Sequence, residues 1–463
     1  MIATTLAPDP GVSSSVLTPE QAECLAFVHK RLRSTNGSSL AIEGFAGCGK
    51  TFLVAHHLIP ELQKQGLRVA VSAFTNRAVK VVKGYLKDAG TIDVISMTTS
   101  VLLGFRELPP EGKKPPRFEK VKPSTTEFFD VVVVDEASML PPEHFAALEQ
   151  EVESRSGRRP LWIIYVGDPA QLPPVGMQPG RLSPAMELPE QRVARLTTVM
   201  RTGGAVLDAA TAVRETKTGA TIGFRCESSG GTSVVVHDNR QAARRTAKQL
   251  VDHLGGEFRI LAWTNDCVDS WNRICRNHDL GADAPPFVVG ERLITRAPIW
   301  DFEDIDDPKA SSICSNGTEL VILEARQREV RVVPGDDGTQ RCWEIKGQFD
   351  ERRQVEFYAL EQVDLANYQK ALEVWKTRAI NASGLESKHI WRKYYYPALR
   401  LWGHLAGPCY ATTVHRAQGG QWDTVLVDLA DVDRARSSSA NEHQKLLYTA
   451  VTRAQRELHI MEA

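Results

Sequence analysis

A doubly wound α/β fold, laid down in two series along the chain, is what this sequence predicts. Three features carry that prediction. Strand-length apolar runs alternate with helical stretches. One run, Asp130–Asp135, holds four consecutive valines. A glycine-rich turn, Gly44–Thr51, joins an apolar run to a helix. An uninterrupted apolar strand is the kind buried on both faces of a parallel sheet, and strands alternating with helices build such sheets. At roughly 100–200 residues per domain, 463 residues make two to four domains.

In chain order, residues 1–16 are rich in Pro, Ser, Gly and Thr and predict a disordered tail. Leu17-Thr-Pro-Glu-Gln21 opens a helix, with Thr18 as N-cap and Pro19 at the first helical position. Ser39–Glu43 predicts a short strand, Gly44–Thr51 a loop entering a helix, and Arg68–Ala73 the next strand. Asp130–Asp135 and Leu161–Val166 complete the first series. Residues 98–123 interrupt it with Pro109, Pro110, Pro115, Pro116 and six basic residues from Arg106 to Lys122. Thr232–His237 and Phe258–Trp263 begin a second series, with a helix at about 239–254 between them and another at Asn265–Asn277. It resumes with strands at Tyr410–Val414, Thr424–Asp428 and Leu458–Met461. Between its halves, the stretch to about 360 carries short β-rich runs and the turn signals Asn316-Gly317, Pro334-Gly335 and Asp336-Asp337-Gly338, which predict a small antiparallel barrel. The part from about 361 to 403 predicts helix, with aromatic and basic residues in Trp391-Arg-Lys-Tyr-Tyr-Tyr396. The expected division is a tail at 1–16 and a first domain at 17–200, with 98–123 as its insertion. The second domain comprises 201–284 and 404–463, and 285–403 form an insert within it.

Composition narrows the function little. The apolar fraction is 42% and the charged fraction 24%, so large cores are available without special staples. A net charge of −1 neither supports nor excludes nucleic acid, because a strand needs only a local basic groove. Eight scattered cysteines contain no C-x-x-C pair, which disfavours a zinc site or a disulfide framework and suggests a reducing compartment. The N-terminus lacks a basic start followed by an apolar core, and no apolar run reaches about 18 residues. The expectation is therefore a cytoplasmic protein, phage or bacterial, with no membrane partner.

The chemistry begins at Gly44-Phe45-Ala46-Gly47-Cys48-Gly49-Lys50-Thr51, a match to G-x-x-x-x-G-K-[ST]. Glycines let backbone N–H groups curl around phosphate oxygens, and the following helix points its positive end at the anion. Lys50 would reach the β- and γ-phosphates of ATP, and Thr51 would bind magnesium. Asp135-Glu136 ends the valine strand about 85 residues beyond the loop. Magnesium wants oxygen ligands, so Asp135 is the second metal candidate and Glu136 the candidate base for the attacking water. The plain alternative for this pair is an acidic helix N-cap. Gly167-Asp-Pro-Ala-Gln171-Leu-Pro-Pro-Val175 follows the Leu161 strand, where a glutamine can touch the γ-phosphate and report its loss; a turn built on Gly, Asp and Pro is the alternative.

With these blocks in view, the chain resembles a superfamily 1 helicase of the RecD and Dda type, from Leu17 to about Ala454. The resemblance implies two RecA-like domains with ATP between them, an SH3-like barrel with a helical extension at 285–403, and a duplex-splitting hairpin at 98–123. It implies that Gln21 reads adenine, although Thr18 and Gln21 also fit a capping box. It makes Gln171 the γ-phosphate glutamine, Arg201 in Leu196-Thr-Thr-Val-Met-Arg201 the first arginine finger, and Arg453 in Tyr448-Thr-Ala-Val-Thr452-Arg453 the second. Thr413-Val-His415-Arg-Ala-Gln418-Gly419 resembles the block that joins DNA contact, through Thr413 and His415, to the ATP state, through Gln418. Phe74-Thr75-Asn76, followed by Arg77 and Lys80, resembles the first single-strand contact; Phe74 is open to base stacking or to a core role. In the hairpin, Lys113, Lys114, Arg117, Lys120 and Lys122 suit phosphates. Phe74-Thr75-Asn76 looks like the 3′-to-5′ subclass, but Gln171-Leu-Pro-Pro-Val and Leu447-Tyr-Thr-Ala-Val-Thr-Arg follow the 5′-to-3′ subclass, and the large inserts of the other subclass have no room here. The implied activity is ATP-driven 5′-to-3′ movement on single-stranded DNA and separation of duplex junctions by a monomer, with replication or recombination proteins as partners. A DNA-stimulated switch or loader would use the same ATP residues without needing the hairpin. A kinase or transporter ATPase would need neither the second half nor Thr452-Arg453.

Overall fold

The computed structural model describes residues 17–34, 36–91, 93–107, 117–155, 159–178, 180–199, 204–254, 257–296, 298–300, 312–314, 316–331, 339–350, 353–360, 362–395, 398 and 406–462. The 1–16 tail, Arg201, Lys113, Lys114, Tyr396 and the turn signals at 334–338 lie outside them. The first helix, Pro19–Leu32, starts at a reciprocal cap: the Thr18 hydroxyl accepts from the Gln21 N–H, and the Gln21 side chain accepts from the Thr18 N–H.

Six parallel strands form the first sheet, in the order Ile95–Thr98, Val69–Ala73, Val131–Asp135, Trp162–Gly167, Ser38–Gly44 and Val193–Leu196. Val71, Val133, Ile164 and Leu40 stand side by side across its centre. All four belong to the core on one face, while Ala70, Val132 and Ile163 belong to the core on the other. The valine run is therefore buried on both faces, as its uniform composition requires. The two outermost strands, Ile95–Thr98 and Val193–Leu196, are short and partly exposed, and their sequences gave no continuous apolar signal.

The second sheet runs Ala411–Thr413, Phe258–Ala262, Trp422–Asp428, Ala454–Met461, Thr232–His237 and Glu227–Ser229, parallel except for its last pair. Helices Arg240–Leu254 and Asn265–Leu280 lie where the alternation expected them. One boundary moves with a physical cause. The strand expected at Tyr410–Val414 stops at Thr413, because its hydroxyl accepts from the Arg416 N–H and caps the helical turn Val414–Ala417.

Within the first interruption, Thr99–Leu103 is helical, and Phe105–Glu107 pairs antiparallel with Phe118–Lys120. The larger insert forms a five-stranded antiparallel sheet in the order Arg353–Leu360, Thr339–Asp350, Glu319–Arg331, Arg292–Ile294 and Gly407–Pro408. It has its own core of Leu293, Leu320, Ile322, Ile345, Val355 and Phe357. Helices Gln362–Asn381 and Gly384–Ile390 follow, with the Trp375 ring stacked on Tyr394 at 4.5 Å. Among the described residues, no helix is long and apolar enough to cross a membrane.

Ile164 is fully buried at the centre of the first sheet. Ile164→Ala should cost about 2–5 kcal/mol, by lost transfer energy and the cavity left behind. Urea denaturation followed by a first-domain probe measures it.

Candidate nucleotide and nucleic-acid site

The loop after strand Ser38–Gly44 turns on two glycines in the left-handed region, Gly47 at φ +84° and Gly49 at φ +79°. A β-carbon is penalised at both. Gly44 lacks space instead: a β-carbon there would stand 2.6 Å from Cys48 Sγ and 2.9 Å from the Leu196 carbonyl. Cys48 is a buried small residue whose thiol is pushed up by burial, so it is held neutral. Lys50 Nζ folds over the loop and donates to the carbonyls of Gly44 at 2.8 Å and Phe45 at 3.0 Å.

Thr51 opens toward the acids. Its hydroxyl donates to Asp135 Oδ2 at 3.1 Å, and Asp135 Oδ1 accepts from the Glu136 N–H at 2.9 Å. Burial, then the neighbouring Glu136 charge, raises the Asp135 carboxyl to about 6. Glu136 sits at φ +50°, the one left-handed non-glycine among the described residues. Strain of this sort persists where the surroundings impose it and clusters at functional sites.

Across the cleft, the loop Asp168–Leu172 of the first domain is held by the second. Arg453 Nη2 donates to Gln171 Oε1 at 3.3 Å. Gln418 Nε2 donates to the Leu172 carbonyl at 2.9 Å, and the Leu172 N–H donates to Thr449 Oγ1 at 3.2 Å. Lys445 donates to the Pro169 carbonyl at 2.8 Å. Two further residues given no role by the sequence join them. Tyr448 OH donates to Asp168 Oδ2 at 2.8 Å and accepts from the Ala46 N–H of the phosphate loop at 3.1 Å. Arg214, on helix Ala205–Glu215, donates to Asp168 Oδ1 at 3.2 Å, and its guanidinium lies 3.5 Å from the Phe45 ring centroid. Tyr448 opens the Tyr448–Ala454 string that carries Arg453, whereas Arg214 belongs to no sequence pattern.

The two stretches expected to touch a strand are adjacent. Thr75 caps helix Asn76–Asp88, and a β-carbon at Gly419 would stand 3.4 Å from its hydroxyl. Thr413 is committed to its cap, and burial lowers His415 to about 4, so that ring is neutral. Phe74 is half-buried and belongs to an aromatic cluster. Its ring meets Phe118 at 5.9 Å and His144 at 5.5 Å, edge to face, while Phe105 and Phe118 meet His144 at 4.9 and 4.6 Å. The strands Phe105–Glu107 and Phe118–Lys120 thus share one cluster with Phe74. Gln21 is buried and holds the helix cap through its Oε1. In the hairpin, Lys120 lies 3.9 Å from Glu151, and Arg106 pairs with Glu119 at 3.1 Å.

Two parallel sheets, with a phosphate loop on one and an arginine of the other hydrogen-bonded across to it, define a nucleotide-binding protein. A model described as an AAA domain matches residues 16–232, and one described as a UvrD-like helicase C-terminal domain matches residues 408–461. A protein of Acanthamoeba polyphaga mimivirus is 23% identical over 495 residues, covering 90% of this chain and 94% of its own. The ATP-dependent DNA helicase PIF3 of Trypanosoma brucei brucei is 30% identical over 169 residues, covering 35% of this chain and 18% of its own. A Pif1 helicase from Bacteroides, solved with ADP-AlF3 and ssDNA, superposes with a TM-score of 0.50 at 15% identity, covering 97% of this chain and 92% of that one. A structure of DNA unwinding at forked dsDNA by two coordinating Pif1 helicases gives 0.50 at 14% identity, covering 96% and 92%. The chain thus joins a segment that matches the AAA domain to one that matches the UvrD-like helicase C-terminal domain, on a fold shared with Pif1 helicases.

The raised Asp135 carboxyl has a stability consequence. Its ordinary value is 3.8 and its folded value about 6, so the folded state binds this proton more tightly and loses stability as pH rises through that window. Asp135→Asn should therefore raise the melting temperature at pH 7, with the gain fading as pH falls from about 6 to about 4. Thermal denaturation of both proteins across pH 4–7 measures it.

Proposed function

We propose that this protein is an ATP-dependent DNA helicase that translocates 5′-to-3′ on single-stranded DNA and separates duplex ahead of it. The observation that carries the reading is the Arg453–Gln171 contact, which sets an arginine of the second domain on the loop beside the phosphate site of the first. In this reading Lys50 holds the β- and γ-phosphates, the loop amides of residues 44–51 cradle them, and Gln21 reads adenine from the edge not engaged in its cap. Thr51 and Asp135, hard oxygen donors 3.1 Å apart, fit a magnesium ion and would hold it; when bound it draws charge from the phosphate oxygens. Glu136 takes the proton of the attacking water. Gln171 and Gln418 report the γ-phosphate, and Arg201 and Arg453 neutralise charge developing on it. Hydrolysis then waits for closure of the cleft, and the grips around Phe74-Thr75-Asn76 and Thr413–His415 alternate as it closes and opens.

The domains follow the sequence division, at 17–200 for the first, 201–284 with 404–463 for the second, and 285–403 for an SH3-like barrel with a helical arm flanking the strand. The 98–123 hairpin splits the duplex, held in place by the cluster of Phe105, Phe118 and His144 with Phe74. Opening a base-pair step costs about 1–2 kcal/mol in stacking, which a modest closure energy per ATP meets. The Pro-Pro-Val of Gln171–Val175 and the Leu447–Arg453 string support the 5′-to-3′ direction. The protein works as a monomer inside the cell, on DNA in replication or recombination.

Lys50→Ala and Glu136→Gln should each abolish DNA-stimulated ATP hydrolysis, and Arg453→Ala should lower it by about 10³–10⁵, the usual worth of an arginine finger. Full stimulated activity in either of the first two would sink the reading. Unwinding of two partial duplexes, one with a 5′ tail and one with a 3′ tail, should favour the 5′ tail. Preference for the 3′ tail would overturn the direction. Shortening the hairpin between Phe105 and Phe118 should stop unwinding while stimulated hydrolysis continues; a switch or loader would lose nothing.

A further inference from the structure

Two arginines share one carboxylate where both parallel sheets and the inserted sheet meet. Arg77 lies in the first turn of helix Asn76–Asp88, and its Nη1 donates to Glu319 Oε1 at 3.0 Å. Glu319 is the first residue of strand Glu319–Arg331 in the inserted sheet. Arg259, on the second parallel sheet and 2% exposed, donates through Nη2 to the same oxygen at 3.0 Å and through Nη1 to Cys409 Sγ at 2.9 Å. Trp422, on the adjoining strand, receives both cations, with Arg77 at 4.0 Å and Arg259 at 5.0 Å from its ring centroid. Burial alone would raise the Glu319 carboxyl; Arg259 and Arg77 outweigh it and hold the group below its ordinary value.

The same cluster reaches the nucleotide side through one residue. The Gly420 carbonyl accepts from Arg453 Nη1 at 3.1 Å, and a β-carbon at Gly420 would stand 2.3 Å from Arg77 Nε. Arg453 and Arg77 therefore lie against the same short loop. Gly419 before it, at φ +70°, abuts the helix of Arg77, where a β-carbon would stand 3.1 Å from Ala78 Cβ. Gly420 has no spare room on its Arg77 side, so its movement toward that side with Arg453 would press on the Arg77 guanidinium. The Arg77–Glu319 pair is half-buried and adds little net stability, but Glu319 also compensates the almost fully buried Arg259, whose charge is costly without it, so the cluster favours one docking.

We propose that Arg77 is a positioning residue: with Glu319 and Trp422 it docks the inserted sheet on the first domain and ties that docking to the position of Arg453, so the strand track narrows only when the nucleotide cleft closes. The proposal rests on the helicase reading above. It departs from the sequence expectation that Arg77 stands with a strand-contacting block, since its guanidinium is engaged by protein.

The test uses the full chain with a forked duplex and single-stranded DNA, reading ATP hydrolysis and base pairs opened per ATP. Glu319→Gln should leave DNA-free hydrolysis unchanged and lower base pairs opened per ATP about tenfold, within the usual range of coupling between sites. Arg77→Met should lower the same ratio, and the double variant should be no worse than either alone. Arg77→Lys, which keeps the charge and loses the flat guanidinium on Trp422, should fall between. Wild-type coupling in Glu319→Gln, or single effects that multiply in the double variant, would overturn the proposal alone. If the wild-type chain hydrolyses ATP but opens no duplex, the helicase reading fails and takes this one with it.

Discussion

The loop Asp168–Leu172 is the part of the molecule on which the rest depends, because it belongs to one domain and is held by the other. Its buried Asp168 carboxylate is met by Tyr448 and Arg214, its Leu172 amide and carbonyl by Thr449 and Gln418, and its Gln171 side chain by Arg453. Removing a partner leaves a buried polar group with fewer hydrogen bonds, at a cost in desolvation. The two parallel sheets are consequently related by a polar network, whose bonds have directions and lengths, more than by an apolar face that could slide. A cleft bridged this way is suited to discrete arrangements.

The sequence made the sheet interiors legible for a simple reason. Val131–Val134 and Val425–Val427 are central strands, buried on both faces, and a run of apolar residues has no other stable use at that length. The phosphate loop was legible because its glycines answer to backbone geometry, seen in the left-handed Gly47 and Gly49. Edge strands such as Glu227–Ser229, half exposed and polar, carried no such signal. The Tyr410–Val414 strand ends one residue early, at Thr413, because Thr413 is a good strand residue and a good helix cap at once, and the cap decides it. Arg214, Glu319 and His144 were not legible, since each owes its place to partners far along the chain.

Phe74 shows why residue type alone could not choose between stacking on a base and packing in a core. Its ring is half-buried, with one edge committed to Phe118 and His144. His144 is fully buried and held neutral by burial, its Nε2 paired with the Ser100 hydroxyl and its Nδ1 without a hydrogen-bond partner among the described residues. A leucine there would spare that desolvation cost. The imidazole instead offers flat faces and edges to three phenylalanines at once, which aliphatic packing cannot reproduce. The cluster packs the hairpin strands Phe105–Glu107 and Phe118–Lys120 against the Phe74 block.

Arg453 sharpens what the cleft can do. The side chain is almost fully buried, and its guanidinium donates to the carbonyls of Thr449 and Gly420, to Thr452 Oγ1 and to Gln171 Oε1. Bonds to Thr449, Gly420 and Thr452 stay within the second domain; the bond to Gln171 crosses the cleft and is the longest of the four at 3.3 Å. A phosphate oxygen carries more charge than an amide oxygen and makes a shorter, stronger bond with guanidinium. Exchange of Gln171 for such an oxygen at Nη2 would therefore be favourable without breaking the bonds that orient the side chain. It would release the Gln171 amide at the same moment, on the very loop that Gln418 and Thr449 hold. A change of one acceptor at one nitrogen is thus enough to alter how the two sheets grip each other.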